Sequence, residues 1–180
     1  MSTKGWSSDH DLDELFEDKR RSPDAMSPHM MTLRDLAAES SRCVEFGVRR
    51  ANSTVALLAG CLGEVHSWDI ETYRKAMDTY RKIQQVSVGR WTFHIGDSLE
   101  AEFDWCDTLV LDGDHSYRHV LAELTAHGDK VRKYIALHDS TAEPDVLRAA
   151  QDWLQGNASD WKIKHHYKWS HGLLVLERKP

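Results

Sequence analysis

Two short stretches carry the side chains best suited to chemistry, Asp112-Gly113-Asp114-His115 and His138-Asp139. Carboxylate oxygens at such positions suit Mg²⁺, Mn²⁺ or Ca²⁺, and an imidazole among them shifts the preference towards Mn²⁺, Fe²⁺ or Zn²⁺. The same imidazole titrates near neutrality, so it can take a proton from a hydroxyl group. The plainer alternative is a pair of turn aspartates capping helices and a polar histidine opening one.

A second group is set for binding. In RCVEFGVRRANS, residues 42–53, Glu45 ends a short apolar run, Gly47 follows, and a polar segment leads into the apolar run Thr54 to Leu62. This is a strand, a tight turn and a helix. The turn needs the backbone freedom of glycine, and the helix start offers free N–H groups and a positive dipole end to a small molecule. Asp69 ends the next apolar run, HSWDIE. A carboxylate there can accept both hydroxyls of a ribose, the role such a residue has in dinucleotide-binding folds. It can also simply cap a helix starting at Glu71.

The elements that position these residues follow from periodicity. Strands are expected at Val44–Phe46, Glu64–Asp69, Trp91–Ile95, Thr108–Leu111 and Lys133–Leu137, with helices over Met30–Ser40, Thr54–Leu62, Glu71–Ile83, Ser116–His127 and Asp145–Leu154. Pro144 precedes the last helix, where proline is tolerated. Two closing runs, Trp161–Tyr167 and Gly172–Glu177, read as a hairpin. Residues 1–28 are charged and broken by Ser22-Pro23 and Ser27-Pro28; they form either a tail or a short docked helix bearing Leu12, Leu15 and Phe16. The expected architecture is a single α/β domain over residues 29–180, a Rossmann-like, mostly parallel seven-stranded sheet with an antiparallel C-terminal hairpin and helices on both faces.

Composition narrows the function. A chain of 180 residues with net charge −6 lacks the basic face of a general nucleic-acid binder. A small molecule is the expected partner. Cys43, Cys61 and Cys106 are odd in number and form no CxxC pair, which suits buried thiols in a reducing cytoplasm and not a disulfide framework. No apolar run is long enough to span a membrane, and no apolar leader opens the chain.

The alternation ending in a hairpin resembles the class I S-adenosylmethionine-dependent methyltransferases over residues 30–178. VEFGVRRANST resembles their first motif. LVLDGDHSYRHVLAEL with YIALHDS is similar to the subgroup of macrocin O-methyltransferase and the cephalosporin hydroxylase-like proteins. The chain departs from the pattern at Ala51-Asn52, where relatives often carry Gly-Gly, and at Asp129–Arg132, where a Pro-Gly-Gly turn is usual. It also carries His138-Asp139 where an acidic pair, commonly Glu-Asp, is found.

The resemblance implies S-adenosylmethionine as cofactor. Glu45, Gly47 and Ser53 would meet its methionine part, Asp69 its ribose, and Asp97 and Ser98 its adenine. Asp112, at the end of the fourth strand, would close the cleft. Asp112, His138 and Asp139 would converge from neighbouring strands on Mg²⁺ or another divalent metal, and His115 takes the position of a general base. His119 lies one helical turn beyond His115 and is expected to share its face. His127, His165, His166 and His171 are expected on loops and on the closing hairpin.

The expected function is O-methylation of a hydroxylated small molecule, a sugar or natural product. The rivals are a non-catalytic cofactor- or partner-binding domain and a metal-dependent hydrolase on the same scaffold; a nicotinamide enzyme lacks its G-x-G-x-x-G here. With about 40 residues before the first strand and little inserted later, a homo-oligomer in which a partner subunit completes the pocket is a further expectation.

Overall fold

The computed structural model describes residues 8–180. The N-terminal segment expected as tail or helix lies partly in residues 1–7, outside the described residues. From Ser8 to Arg20 the chain is a helix, α1, whose Leu12, Leu15 and Phe16 are buried against the helices that follow β1 and β2.

In chain order come α2 (Met30–Ala38), β1 (Arg42–Phe46), α3 (Asn52–Gly60), β2 (Glu64–Asp69), α4 (Met77–Val86), β3 (Trp91–Ile95), β4 (Cys106–Leu111), α5 (Tyr117–His127), β5 (Val131–His138), α6 (Pro144–Gly156), β6 (Trp161–Tyr167) and β7 (Leu173–Arg178). The sheet order is β3-β2-β1-β4-β5-β7-β6. Strands β1 to β5 are parallel, and β7 is antiparallel to both β5 and β6. The strand order reverses between β1 and β4. That is the crevice where open α/β sheets bind ligands.

The central strands are apolar because helices cover both faces. β4 is buried along its whole length, as is β5 from Tyr134 to His138. One core joins α1 to α4 to the sheet, around Phe16, Leu33, Leu57 and Ile83; the other joins α5 and α6, around Leu109, Leu124, Ile135 and Trp153. Among the described residues, no helix is long and apolar enough to cross a membrane.

One helix start differs from the sequence expectation, whereas the short β3–β4 connection, where no helix is expected, agrees with it. Between β3 and β4 there is only a single 3-10 turn, Ser98–Glu100, since residues 96–105 are too few for a helical crossover. Helix α4 starts at Met77 after a 3-10 turn at Arg74–Ala76, not at Glu71. The residues in between are drawn into the wall of a cleft at the end of β2, so the amphipathic period begins later than the charged sequence suggests.

Candidate active site

The turn after β1 is fixed by its contacts. Gly47 has φ +87°, and a Cβ there would run into the Asp112 carbonyl. Its N–H donates to the Trp68 carbonyl at 2.9 Å, and the Asp112 N–H donates to the Phe46 carbonyl at 2.8 Å. The ends of β1, β2 and β4 are thereby drawn together. Arg49 and Ala51 in this turn have φ +41° and +60°, left-handed conformations that residues bearing a Cβ seldom adopt.

Asp69 pins this strained turn. Its Oδ2 accepts the Val48 and Arg49 N–H groups at 2.8 and 3.0 Å, while Oδ1 receives only a long 3.4 Å bond from the Glu71 N–H. One oxygen holds the loop and the other faces a cleft of about 470 Å³, lined also by Gly47, Trp68, Asp97, Ser98 and Asp112. Six of the expected cofactor residues, Gly47, Asp69, Asp97, Ser98 and Asp112 among them, therefore divide as five around this cleft and one, Ser53, on a second cavity described below.

Glu45 lies on neither. Its carboxylate points into the protein, fully buried, where Oε2 accepts the Thr54 and Ser67 hydroxyls at 2.6 and 2.7 Å. Oε1 has no partner. Burial in this apolar setting pushes its pKa up to about 7, against the pull of the surrounding hydroxyls. The sequence reading that turned Glu45 towards the cofactor is corrected here. The side chain alternates with Val44 and Phe46, and Glu45 falls on the face of β1 packed against α3, where Thr54 meets it.

The loop after β3 is held by α5. Asp97 Oδ1 accepts the Leu99 N–H at 2.9 Å. The Ser98 hydroxyl donates to Glu123 Oε1 at 2.6 Å and lies 3.0 Å from His119 Nε2, and the Ser98 carbonyl is 2.9 Å from His127 Nε2. Three side chains of one helix thus do what a helix between β3 and β4 would otherwise do. His119 lines the 470 Å³ cleft and not the face of His115, because His115 precedes the helix and the one-turn spacing does not apply. The i,i+4 pair His119 and Glu123 was the only signal of this clamp in the sequence.

A second cavity of about 330 Å³ opens on the other side of Asp112-Gly113, with Ser53, His115, His138, Asp139 and His171 on its wall and Asp24 to Met26 from the N-terminal segment across from them. His138 Nδ1 lies 2.9 Å from Asp112 Oδ1 and 3.1 Å from Asp139 Oδ2. His115 Nε2 is 3.2 Å from Asp139 Oδ2 and 3.7 Å from Asp112 Oδ1. His171 Nδ1 bonds the other oxygen of Asp139 at 2.9 Å.

The charges in this cluster shape one another. Burial alone would lower the His138 pKa, but Asp112 and Asp139 overcome it and push it up to about 10. Burial would likewise raise Asp139, yet His138, with His115 and His171, brings it down to about 2. His115 is raised above the ordinary histidine value, first by Asp112 and then by Asp139.

His171 was missed from the sequence. It sits on the β6–β7 hairpin, where Ser170, His171 and Gly172 all have positive φ, and only this turn brings it to Asp139. The turn is anchored by the Ser170 hydroxyl, which donates to the Ala25 carbonyl at 2.9 Å, and by the Ser170 carbonyl, 3.0 Å from His29 Nε2.

The residues present fit a divalent ion in part. Asp112, His138 and Asp139 offer donor atoms within 4.8 Å of one another, and both His115 Nε2 and His138 Nε2 are buried without a hydrogen-bond partner. Two carboxylates and an imidazole favour Mn²⁺, Fe²⁺ or Zn²⁺ over the all-oxygen octahedron of Mg²⁺.

A seven-stranded sheet with its seventh strand reversed, and paired cavities at the ends of β1, β2, β4 and β5, has the architecture of a Rossmann-like methyltransferase. The chain matches the family described as methyltransferase domain over residues 44–140, and it belongs to that family. No curated protein matches it in sequence. Among solved structures it is similar to an O-methyltransferase from Bacillus cereus in complex with S-adenosylhomocysteine, with TM-score 0.65 and 16% identity over 96% of this chain and 92% of that one. It is also similar to the O-methyltransferase TomG from Streptomyces achromogenes, involved in tomaymycin synthesis and in complex with S-adenosylmethionine (TM-score 0.66, 12% identity, 100% of this chain and 93% of that one). An S-adenosylhomocysteine-bound methyltransferase from Podospora anserina gives TM-score 0.64 at 17% identity, over 99% and 91% of the two chains. These likenesses describe the fold.

Proposed function

We propose that the chain is an S-adenosylmethionine-dependent O-methyltransferase acting on a hydroxylated small molecule, a sugar or natural product. The observation that carries this reading is the meeting of two cavities at Asp112-Gly113. The larger takes the cofactor, and the smaller, with His115 and Asp139 on its wall, takes the acceptor. The Asp112-Gly-Asp-His115 element and His138-Asp139 support the macrocin O-methyltransferase-like subgroup.

In the transfer, the acceptor oxygen attacks the methyl carbon as the carbon–sulfur bond breaks, and the electron pair returns to sulfur as a neutral thioether. The hydroxyl proton goes to His115 Nε2, and Asp139 at 3.2 Å stabilises the imidazolium that results. Asp69 Oδ1 orients the ribose. Asp97 and Ser98 bound the adenine pocket, fixed by Glu123. A divalent ion held by Asp112, His138 and Asp139 would supply Lewis acidity towards the acceptor hydroxyl and fix its position. Narrow cavities at the junction favour an in-line approach, the main requirement for a carbon already activated by its sulfonium.

Calorimetric titration with S-adenosylmethionine and S-adenosylhomocysteine, with and without Mn²⁺, tests the cofactor half. Methyl transfer to a panel of vicinal diols and catechols tests the other. Absence of cofactor binding at millimolar concentration overturns the proposal.

A further inference from the structure

Arg49 stands where the two cavities meet. It lines both, as do Asp112 and Gly113. Its neighbour Arg50 pairs with Asp24 at 3.3 Å, whereas no acidic group pairs with the Arg49 guanidinium among the described residues. The Arg49 backbone is nonetheless locked on both sides. Its N–H donates to Asp69 Oδ2 at 3.0 Å, and its carbonyl accepts the Tyr80 hydroxyl at 2.7 Å. A fixed backbone with an exposed, unpaired cation suits a residue that waits for an anion.

The charge around the larger cleft says which part of a ligand needs it. Asp69, Glu71, Asp97, Asp112 and Asp114 all line that cleft, and among the described residues Arg49 is its only arginine or lysine. Such a wall attracts the ammonium and sulfonium of S-adenosylmethionine and repels its carboxylate. In many strand–turn–helix loops the backbone N–H groups capture an anion. Here the Val48 and Arg49 N–H groups already donate to Asp69.

We propose that Arg49 binds the α-carboxylate of the methionine half of the cofactor, and that this holds the sulfur at the opening between the cavities. The assignment rests on the cofactor reading above. A guanidinium meets a carboxylate through two parallel N–H donors, which fixes direction as well as distance. Arg49 is in this sense a specificity residue, favouring ligands with an amino-acid end over plain nucleosides.

The test compares S-adenosylhomocysteine with 5′-methylthioadenosine, which keeps the nucleoside and the sulfur but lacks the amino-acid end. Both are titrated calorimetrically into the full chain, into Arg49→Ala, and into Arg49→Gln, which keeps most of the length and hydrogen-bonding capacity without the charge. S-adenosylhomocysteine affinity should fall roughly tenfold or more in both variants, while 5′-methylthioadenosine affinity stays within about twofold. Added salt should weaken S-adenosylhomocysteine binding more in the wild type than in the variants. Equal losses for both ligands would mean that Arg49 only shapes the loop, and unchanged affinity would mean that it touches neither; either overturns the assignment. If the unmodified chain binds neither ligand, the cofactor reading falls first and this one with it.

Discussion

On the proposed reading Asp69 has two tasks on two oxygens, and substitutions should separate them. Asp69→Ala removes the ribose acceptor and also frees the Val48 and Arg49 N–H groups, so the loop loses its anchor along with the ligand contact. Hydrogen bonds to a charged group are worth about 1.5–3 kcal/mol each, and S-adenosylmethionine affinity should fall by tenfold or more. Asp69→Asn keeps one carbonyl oxygen for the loop, so it should retain more affinity than the alanine variant. Equal affinity in all three proteins, by calorimetry, would remove Asp69 from the site. His115 is argued differently, through rate. General-base help is typically worth 10²–10⁴-fold, so His115→Ala should lower kcat by about that much with cofactor affinity nearly unchanged. Because Asp112 and Asp139 raise the His115 pKa, its neutral form accumulates only above the ordinary histidine value. The wild-type rate should therefore rise with pH through an apparent pKa above about 6.5, and that limb should be absent in the variant. A rate profile identical in the two proteins would assign the proton to another group.

At the scale of elements, the segment that follows α1, Asp24 to Met26, and the hairpin tip bearing His171 wall the smaller cavity from opposite ends of the chain. Phe16 is fully buried beneath Arg34, and truncating such a side chain costs about 3–5 kcal/mol. Phe16→Ala should shift the urea midpoint correspondingly; a change under about 1 kcal/mol would mean that α1 is docked only loosely. The strands were legible in the sequence because the buried parts of β4 and β5 read as apolar runs, Leu109–Leu111 and Tyr134–Leu137. Helix starts were less so. The onset of α4 is set by residues 70–73 lining the cleft, and periodicity carries no trace of that. Likewise Asp112, His138 and Asp139 could be placed together because they end adjacent strands, just beyond the Leu111–Leu137 pair of β4 and β5. His171 and His29 could not, since their approach depends on a strained turn packing against the N-terminal segment. Glu45 misled for a local reason: a charged residue at the end of a strand suggests a cleft, yet the pleat sent this one inward.

For the whole molecule, that inward glutamate links stability to pH. A free glutamate titrates near 4.5, and burial moves Glu45 to about 7 in the folded chain. Between those values the folded state holds a proton that the unfolded state has lost. Stability from this group is thus fully present below pH 4.5 and is lost as pH rises through 7. A shift of two to three units corresponds to roughly 3 kcal/mol. Other groups act in the same range with the opposite sign: burial lowers His29, His94, His127 and His166, which therefore add stability as pH rises towards 6.5. The absolute curve mixes these effects, so a difference isolates the one in question. Glu45→Gln keeps an oxygen for the Thr54 and Ser67 hydroxyls but cannot ionise, and both proteins share the four histidines. Measured by urea unfolding at several pH values, the stability of the glutamine variant relative to wild type should climb by roughly 2.5 kcal/mol between pH 5 and pH 8. Two parallel curves would show that Glu45 stays ionised across the range, held by its three neighbouring hydroxyls, Ser53, Thr54 and Ser67, more strongly than burial opposes it.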